Sequence, residues 1–118
     1  MEQQSVFIQT LGNYPQIRIL DFLMYSRNFD YPITEIAKNA NVNFQTLKKL
    51  WPQMEAKELV VKTRVLGGVS LFKMNIKNHI AKKLIEFDID ICWKEFEKET
   101  SHHRLPASPK NKAEIVAV

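Results

Sequence analysis

The sequence predicts a mainly α chain with one small β-hairpin, an α+β fold that ends in a long helix. Three observations predict it. Apolar residues recur at helical spacing through much of the stretch up to Lys57. A Gly67-Gly68 pair separates two strand-like runs. Residues 78 to 99 keep a helical apolar pattern with no internal glycine or proline.

The first segment, Ser5 to Leu11, is apolar and ends at Gly12. Ser5 can cap a short helix and Gly12 can end it, while the Val and Ile content also allows a strand. Pro15 suits the first turn of a helix that shows Ile17, Leu20, Phe22, Leu23 and Met24 on a broad apolar face. Asn28 to Pro32 reads as a turn into a short extended piece. Thr34 is the expected N-cap of the next helix, from Glu35 to about Ala40, which buries Ile36 and Ala37.

After a break at Asn41, Asn43 caps a helix that buries Phe44, Leu47 and Leu50. Pro52 lacks an N–H and clashes with the Lys48 carbonyl, so a kink or restart is expected near Trp51, with Met54 buried beyond it. Leu59 to Val65 and Val69 to Ile76 are the expected strands. Alternation places Lys62 and Arg64 on one strand face, opposite Val61, Thr63 and Val65. Asn78 is the expected cap of the final helix, and a loose tail follows Thr100.

A chain of 118 residues fits one domain plus a tail. No apolar run is long enough to span a membrane. Met1-Glu2-Gln3-Gln4 lacks the basic and apolar stretches of a secretory signal. Cys92 is the single cysteine, too few for a disulfide framework, so a reducing, cytoplasmic setting is the default.

Charge is unevenly placed. The net value is +4, yet residues 38–83 hold ten basic groups against Glu55 and Glu58, a local balance of +8. The flanks are negative: residues 1–37 balance to −2 and residues 84–99 to −4. Such a basic middle points to a localised face for a polyanion.

The most informative stretch is Thr34 to Leu50. Two helices that cross steeply need a small residue at their contact, and Ala37 supplies it. Four residues on, Asn41 tolerates the left-handed geometry of a sharp turn. Val42 fills the hollow beneath, while Leu47 and Leu50 anchor the second helix. Gln45, Thr46, Lys48 and Lys49 are left on or near its outer face.

This pattern resembles the helix-turn-helix signature, and the hairpin that follows resembles the wing of winged-helix regulators. Pro15 to Asn78 together is similar to the DNA-binding domain of ArsR-like and related archaeal transcriptional regulators. Pro32-Ile33-Thr34-Glu35-Ile36-Ala37 and Glu58-Leu59-Val60-Val61-Lys62-Thr63-Arg64 carry much of the likeness. The resemblance implies a winged helix-turn-helix fold that binds double-stranded DNA, usually as a dimer, in transcriptional control.

Under that reading the second helix enters the major groove. Asn43, Gln45 and Thr46 have short donors and acceptors suited to base edges, although Asn43 serves equally as a cap. Lys48 and Lys49 suit phosphates, and Lys62, Arg64 and Lys73 place charge on the wing. With Phe44 from the same helix, these nine residues form the expected DNA-binding set.

The last helix shows two apolar stripes. Ile80, Leu84, Phe87 and Ile91 form one; Ile85, Ile89, Cys92 and Phe96 form the other, with Trp93 nearby. One stripe suffices for a surface helix, so two suggest burial against both the domain and a partner helix. Ile85, Ile89, Cys92, Trp93 and Phe96 are the expected homodimer contacts. The expected layout is residues 1–77 as DNA-binding domain, 78–99 as dimerisation helix and 100–118 as flexible tail.

Alternative readings are a winged-helix protein-interaction module, with a further protein partner, and an architectural DNA-binding protein without an effector. RNA is a weaker fit, since the aromatic platform used on single strands is missing from the sequence pattern. An enzyme fits worst: no phosphate loop, catalytic carboxylate pair or nucleophile motif is recognisable. No cofactor or metal is expected. His79, His102, His103 and Cys92 match no ligand spacing, and Cys92 reads as a buried thiol.

Overall fold

The computed structural model describes residues 4–99. The expected tail, residues 100–118, lies outside them. Five helices and one hairpin follow in order: α1 (Val6–Leu11), α2 (Pro15–Tyr25), α3 (Ile33–Asn39), α4 (Phe44–Ala56), β1 (Val60–Leu66), β2 (Val69–Met74) and α5 (His79–Glu99). The predicted α+β class, mainly helical with one hairpin, is the class observed.

The two options for the first segment resolve as a helix. The Ser5 hydroxyl accepts the Ile8 N–H at 3.2 Å, and Gly12 at φ 107° closes the other end. Phe7 and Ile8 point inward from α1. Pro15 opens α2, as its fixed φ favours. The α3 start differs from expectation. Pro32 is the N-cap and Thr34 already lies inside the first turn. Pro32 sets an extended backbone at ψ 156° and its carbonyl accepts the Ile36 N–H at 3.1 Å, so no hydroxyl cap is needed.

The turn between α3 and α4 behaves as its residues dictate. Asn41 takes φ 56°, and the Val42 N–H returns to the Ala37 carbonyl at 2.9 Å. Ala37 and Val42 are both buried there, so the helices meet closely. The Asn43 side chain accepts the Gln45 N–H at 2.8 Å and starts α4. The helix does not restart near Trp51: α4 continues through Pro52 to Ala56. Pro52 and Lys48 are both exposed, so water can serve the carbonyl that loses its N–H donor.

The hairpin is short at its far end compared with expectation: β2 stops at Met74 rather than Ile76. Gly67 and Gly68 take φ 55° and 79°, the two positive angles of a tight two-residue turn. A bulge lies between Lys62 and Arg64, which pair with the successive residues Phe72 and Leu71. Successive residues of β2 face opposite ways, so Lys62 and Arg64 fall on opposite faces. The expected alternation through Thr63 is corrected accordingly. Tyr31, in the extended piece after α2, pairs with Phe72 through two backbone hydrogen bonds of 2.8 Å.

One core joins all of these elements. Ile19, Leu23 and Met24 of α2 meet Ile36 of α3, Leu47 and Met54 of α4, and Met74 of β2. Trp51 meets Phe72 edge-on at 5.4 Å between ring centroids. The final helix enters this core near its start. Asn78 caps it through the Ala81 N–H at 3.0 Å, and Ala81 and Ile85 are fully enclosed. Phe87 meets Phe7 of α1 edge-on at 6.3 Å.

The predicted pair of stripes on α5 therefore needs correction. Ile85, assigned to a partner, belongs to this chain's own core. Ile89 is half-buried against the same core. Beyond it Cys92 and Phe96 are exposed, so the thiol is not the buried group expected.

Among the described residues no helix is long and apolar enough to cross a membrane.

Candidate nucleic-acid interface

The helical repeat of α4 divides its residues cleanly. Leu47, Trp51 and Met54 are locked into the core, and Leu50 is half-buried beside them. That leaves Gln45, Lys48 and Lys49 exposed on the outer side, with Thr46 half-exposed. Asn43 is exposed at the helix start, where its Oδ1 is already engaged as the cap. Phe44 is not buried as expected, but 38% exposed. The Lys48 ammonium lies 5.5 Å from its ring centroid, a contact made by residues one turn apart.

The hairpin supplies the second group. Lys62 is exposed and Lys73 half-buried. Arg64 is exposed but engaged. Its Nε donates to Asp30 Oδ2 at 3.0 Å and its Nη2 to Asp30 Oδ1 at 3.2 Å, a two-pronged pairing. The Thr63 hydroxyl donates to the same carboxylate, and so the bulge turns both residues toward Asp30. Asp30 was invisible to sequence reasoning because 33 residues separate it from Thr63. Together with the Tyr31–Phe72 bridge, it fixes the wing to the loop before α3.

These bonds have a measurable pH signature. Hydrogen bonds from Arg64 and Thr63 lower the Asp30 carboxyl from 3.8 to about 2. A depressed carboxyl stabilises the fold above its unfolded value, and that contribution is lost as pH falls through the folded value. NMR titration of the Thr63 and Arg64 amides is expected to show the clamp intact at about pH 4 and above and released with a midpoint near the folded value of about 2. Asp30→Asn should abolish that inflection. An unchanged inflection in the variant would assign the transition to another group.

The outer end of α5 presents a different surface. Trp93 is half-buried and stacks on Phe96, with centroids 5.7 Å apart and planes inclined by 30°. With Asp88, Ile89 and Cys92 they line an open apolar groove of about 350 Å³. Partial desolvation, helped by the neighbouring Asp88 carboxylate, pushes the Cys92 thiol up to about 11. It is therefore a poor nucleophile at neutral pH.

Among the described residues no group of three or more His, Cys, Asp or Glu could hold a metal ion. His102 and His103 lie outside the described residues.

No protein-family model and no curated protein matches the sequence. Solved structures do resemble the chain in shape. One is the homodimeric winged helix-turn-helix DNA-binding domain of a Mycobacterium bovis protein, described as a possible ArsR-family transcriptional regulator. It aligns at a TM-score of 0.52 and 18% identity, over 86% of this chain and 85% of that one. Another is the adhesin competence repressor of Streptococcus pyogenes, at 0.51 and 15% identity, over 85% of this chain and 72% of that one. The chain has the winged helix-turn-helix fold, as its sequence predicts: α3 and α4 are the crossed helices and β1–β2 is the wing.

Proposed function

We propose that the protein binds double-stranded DNA in a sequence-dependent way, as a cytoplasmic homodimer, and regulates transcription. It acts by binding rather than catalysis. One observation carries the reading: α4 buries one face through Leu47, Trp51 and Met54 while offering amides and lysines on the other. Gln45, Thr46 and the free amide nitrogen of Asn43 reach base edges, and Lys48, Lys49, Lys62 and Lys73 meet phosphates. The side of Phe44 can lie against a thymine methyl. Arg64 serves first as the anchor of the wing and presents only its remaining donors to DNA. The winged fold shared with a DNA-binding domain and a repressor supports this assignment.

Residues 1–77 form the DNA-binding unit in this reading and 78–99 the dimerisation helix. The two-fold contact is made by Trp93, Phe96, Cys92 and the outer side of Ile89. One of the similar structures is itself a homodimer. Solution mass at micromolar concentration is expected to be that of two chains. Trp93→Glu with Phe96→Glu is expected to give a folded monomer, because a charge on each groove cannot be buried unpaired. A monomeric wild type would refute this contact.

The DNA reading is tested by selecting bound duplexes from a random pool at stated salt. A defined preferred sequence is expected. Gln45→Ala is expected to relax preference at one position, by about 1–3 kcal/mol against the preferred base. Equal affinity for every duplex would favour an architectural role. Failure to retain any duplex, with a stable protein complex instead, would favour an interaction module centred on the aromatic end of α5.

A further inference from the structure

Helix α2 carries an Arg and an Asp one helical turn apart, Arg18 and Asp21. Unlike charges at this spacing commonly pair. Here each is held by a different neighbour. Arg18 Nη1 donates to the Asn13 side-chain oxygen at 2.9 Å and to its carbonyl at 3.3 Å. Asp21 Oδ1 accepts the Ser5 hydroxyl at 2.8 Å. Among the described residues no ion pair joins the two, and Arg18 Nε has no acceptor.

Between them opens a cavity of about 450 Å³. Arg18 and Asp21 line it, Phe22 and Ile8 give it an apolar part, and Asn39 and Asn41 add polar groups. The size suits a small ligand. Elsewhere the same chain shows what an arginine of this kind accepts: Arg64 takes the Asp30 carboxylate through Nε and Nη2. Arg18 Nε is buried without an acceptor, Asn13 fixes Nη1, and Nη2 is left without an acceptor among the described residues to receive such an oxygen. Asp21 retains Oδ2 without a donor among the described residues. Half-burial raises the Asp21 carboxyl above its ordinary value, and Asp88 of α5 is close enough to feel its charge. A cation beside Asp21 would relieve both.

From this arrangement we propose that the cavity binds a free amino acid as its zwitterion, the carboxylate on Arg18 and the ammonium on Asp21. The polar rim of asparagines favours a small or polar side chain over a large apolar one. The lining also includes Asn39, Ala40 and Asn41, the turn that leads into α4. An occupant therefore touches the segment that sets the pose of the helix assigned to DNA. Only this last coupling rests on the proposed function; the binding site itself does not.

Titration of the full chain, without DNA, with each free L-amino acid at millimolar concentration tests the site by amide NMR. Saturable shifts at Asn13, Arg18, Asp21 and Asn39 to Asn41 are expected with at least one of them. The N-acetyl and amide derivatives of that amino acid, each lacking one charge, are expected to bind at least about tenfold more weakly. Arg18→Gln and Asp21→Asn should each weaken binding similarly, whereas Glu55→Gln, exposed near the end of α4, should not. The blocked ligands probe the wild-type protein, so the result stands even if a variant fails to fold. No saturable shift with any free amino acid, shifts confined to another surface, or undiminished binding of either blocked form overturns the proposal. Loss of DNA binding alone leaves this titration unaffected, so the two readings fail separately.

Discussion

Replacing Leu47 with alanine is expected to destabilise the protein by about 3 kcal/mol, within the range for fully buried leucines. Leu47 is completely enclosed and sits where α4 meets the core shared with α2, α3 and β2. Its removal leaves a cavity between elements whose relative angle defines the crossed-helix arrangement, and that limits how far the site can collapse. Thermal or denaturant unfolding measures the loss. A domain of this size has only about 5–15 kcal/mol in hand, so a drop of many degrees in Tm is expected. A loss below about 1 kcal/mol would show that the contact is looser than its burial implies.

The second large effect falls on binding. Lys48→Ala combined with Lys49→Ala is expected to weaken every duplex alike. The slope of log affinity against log salt should shrink by about 1.8, or about 0.9 for each phosphate contact removed. Both side chains are exposed, so stability should change little. Affinity measured across a salt series separates this outcome from Gln45→Ala, which should alter sequence preference while leaving the slope in place. An unchanged slope in the double variant would remove α4 from the phosphate contacts.

Much of the fold was legible because its signals are local. Ser5, Asn43 and Asn78 cap their helices through hydrogen bonds reaching only two or three residues ahead. Gly67-Gly68 makes its turn from its own φ angles, and Asn41 does the same between α3 and α4. What was missed depends on partners distant in sequence. The bulge at Thr63 is defined by pairing with β2 and by Asp30, which no window around the strand contains. On α5 both stripes are apolar, so the pattern alone cannot tell which faces inward. Only the packing of the folded chain, which encloses Ile85 within the common core, settles which side faces inward. Pro52 does not end α4 because the rule against proline assumes a carbonyl with nowhere else to turn, while this stretch of α4 borders solvent.

The same distinction governs the candidate interface. The outward set on α4 follows from helical spacing once Leu47 and Leu50 are recognised as inward. The state of Arg64 does not, since its charge is already matched by a carboxylate outside the hairpin. Counting lysines and arginines along the wing therefore overstates the charge available to a polyanion by one.

The contact between Lys48 and Phe44 bears on how the helix would meet a charged partner. A lysine swinging freely in water surrenders several rotamers when it docks, an entropic loss of up to about 2 kcal/mol. One resting over an aromatic ring has given up part of that freedom before any encounter. Its ammonium also remains hydrated on the side away from the ring, so it can turn to an oxyanion by a small rotation. The ring thus narrows the search that precedes a productive collision.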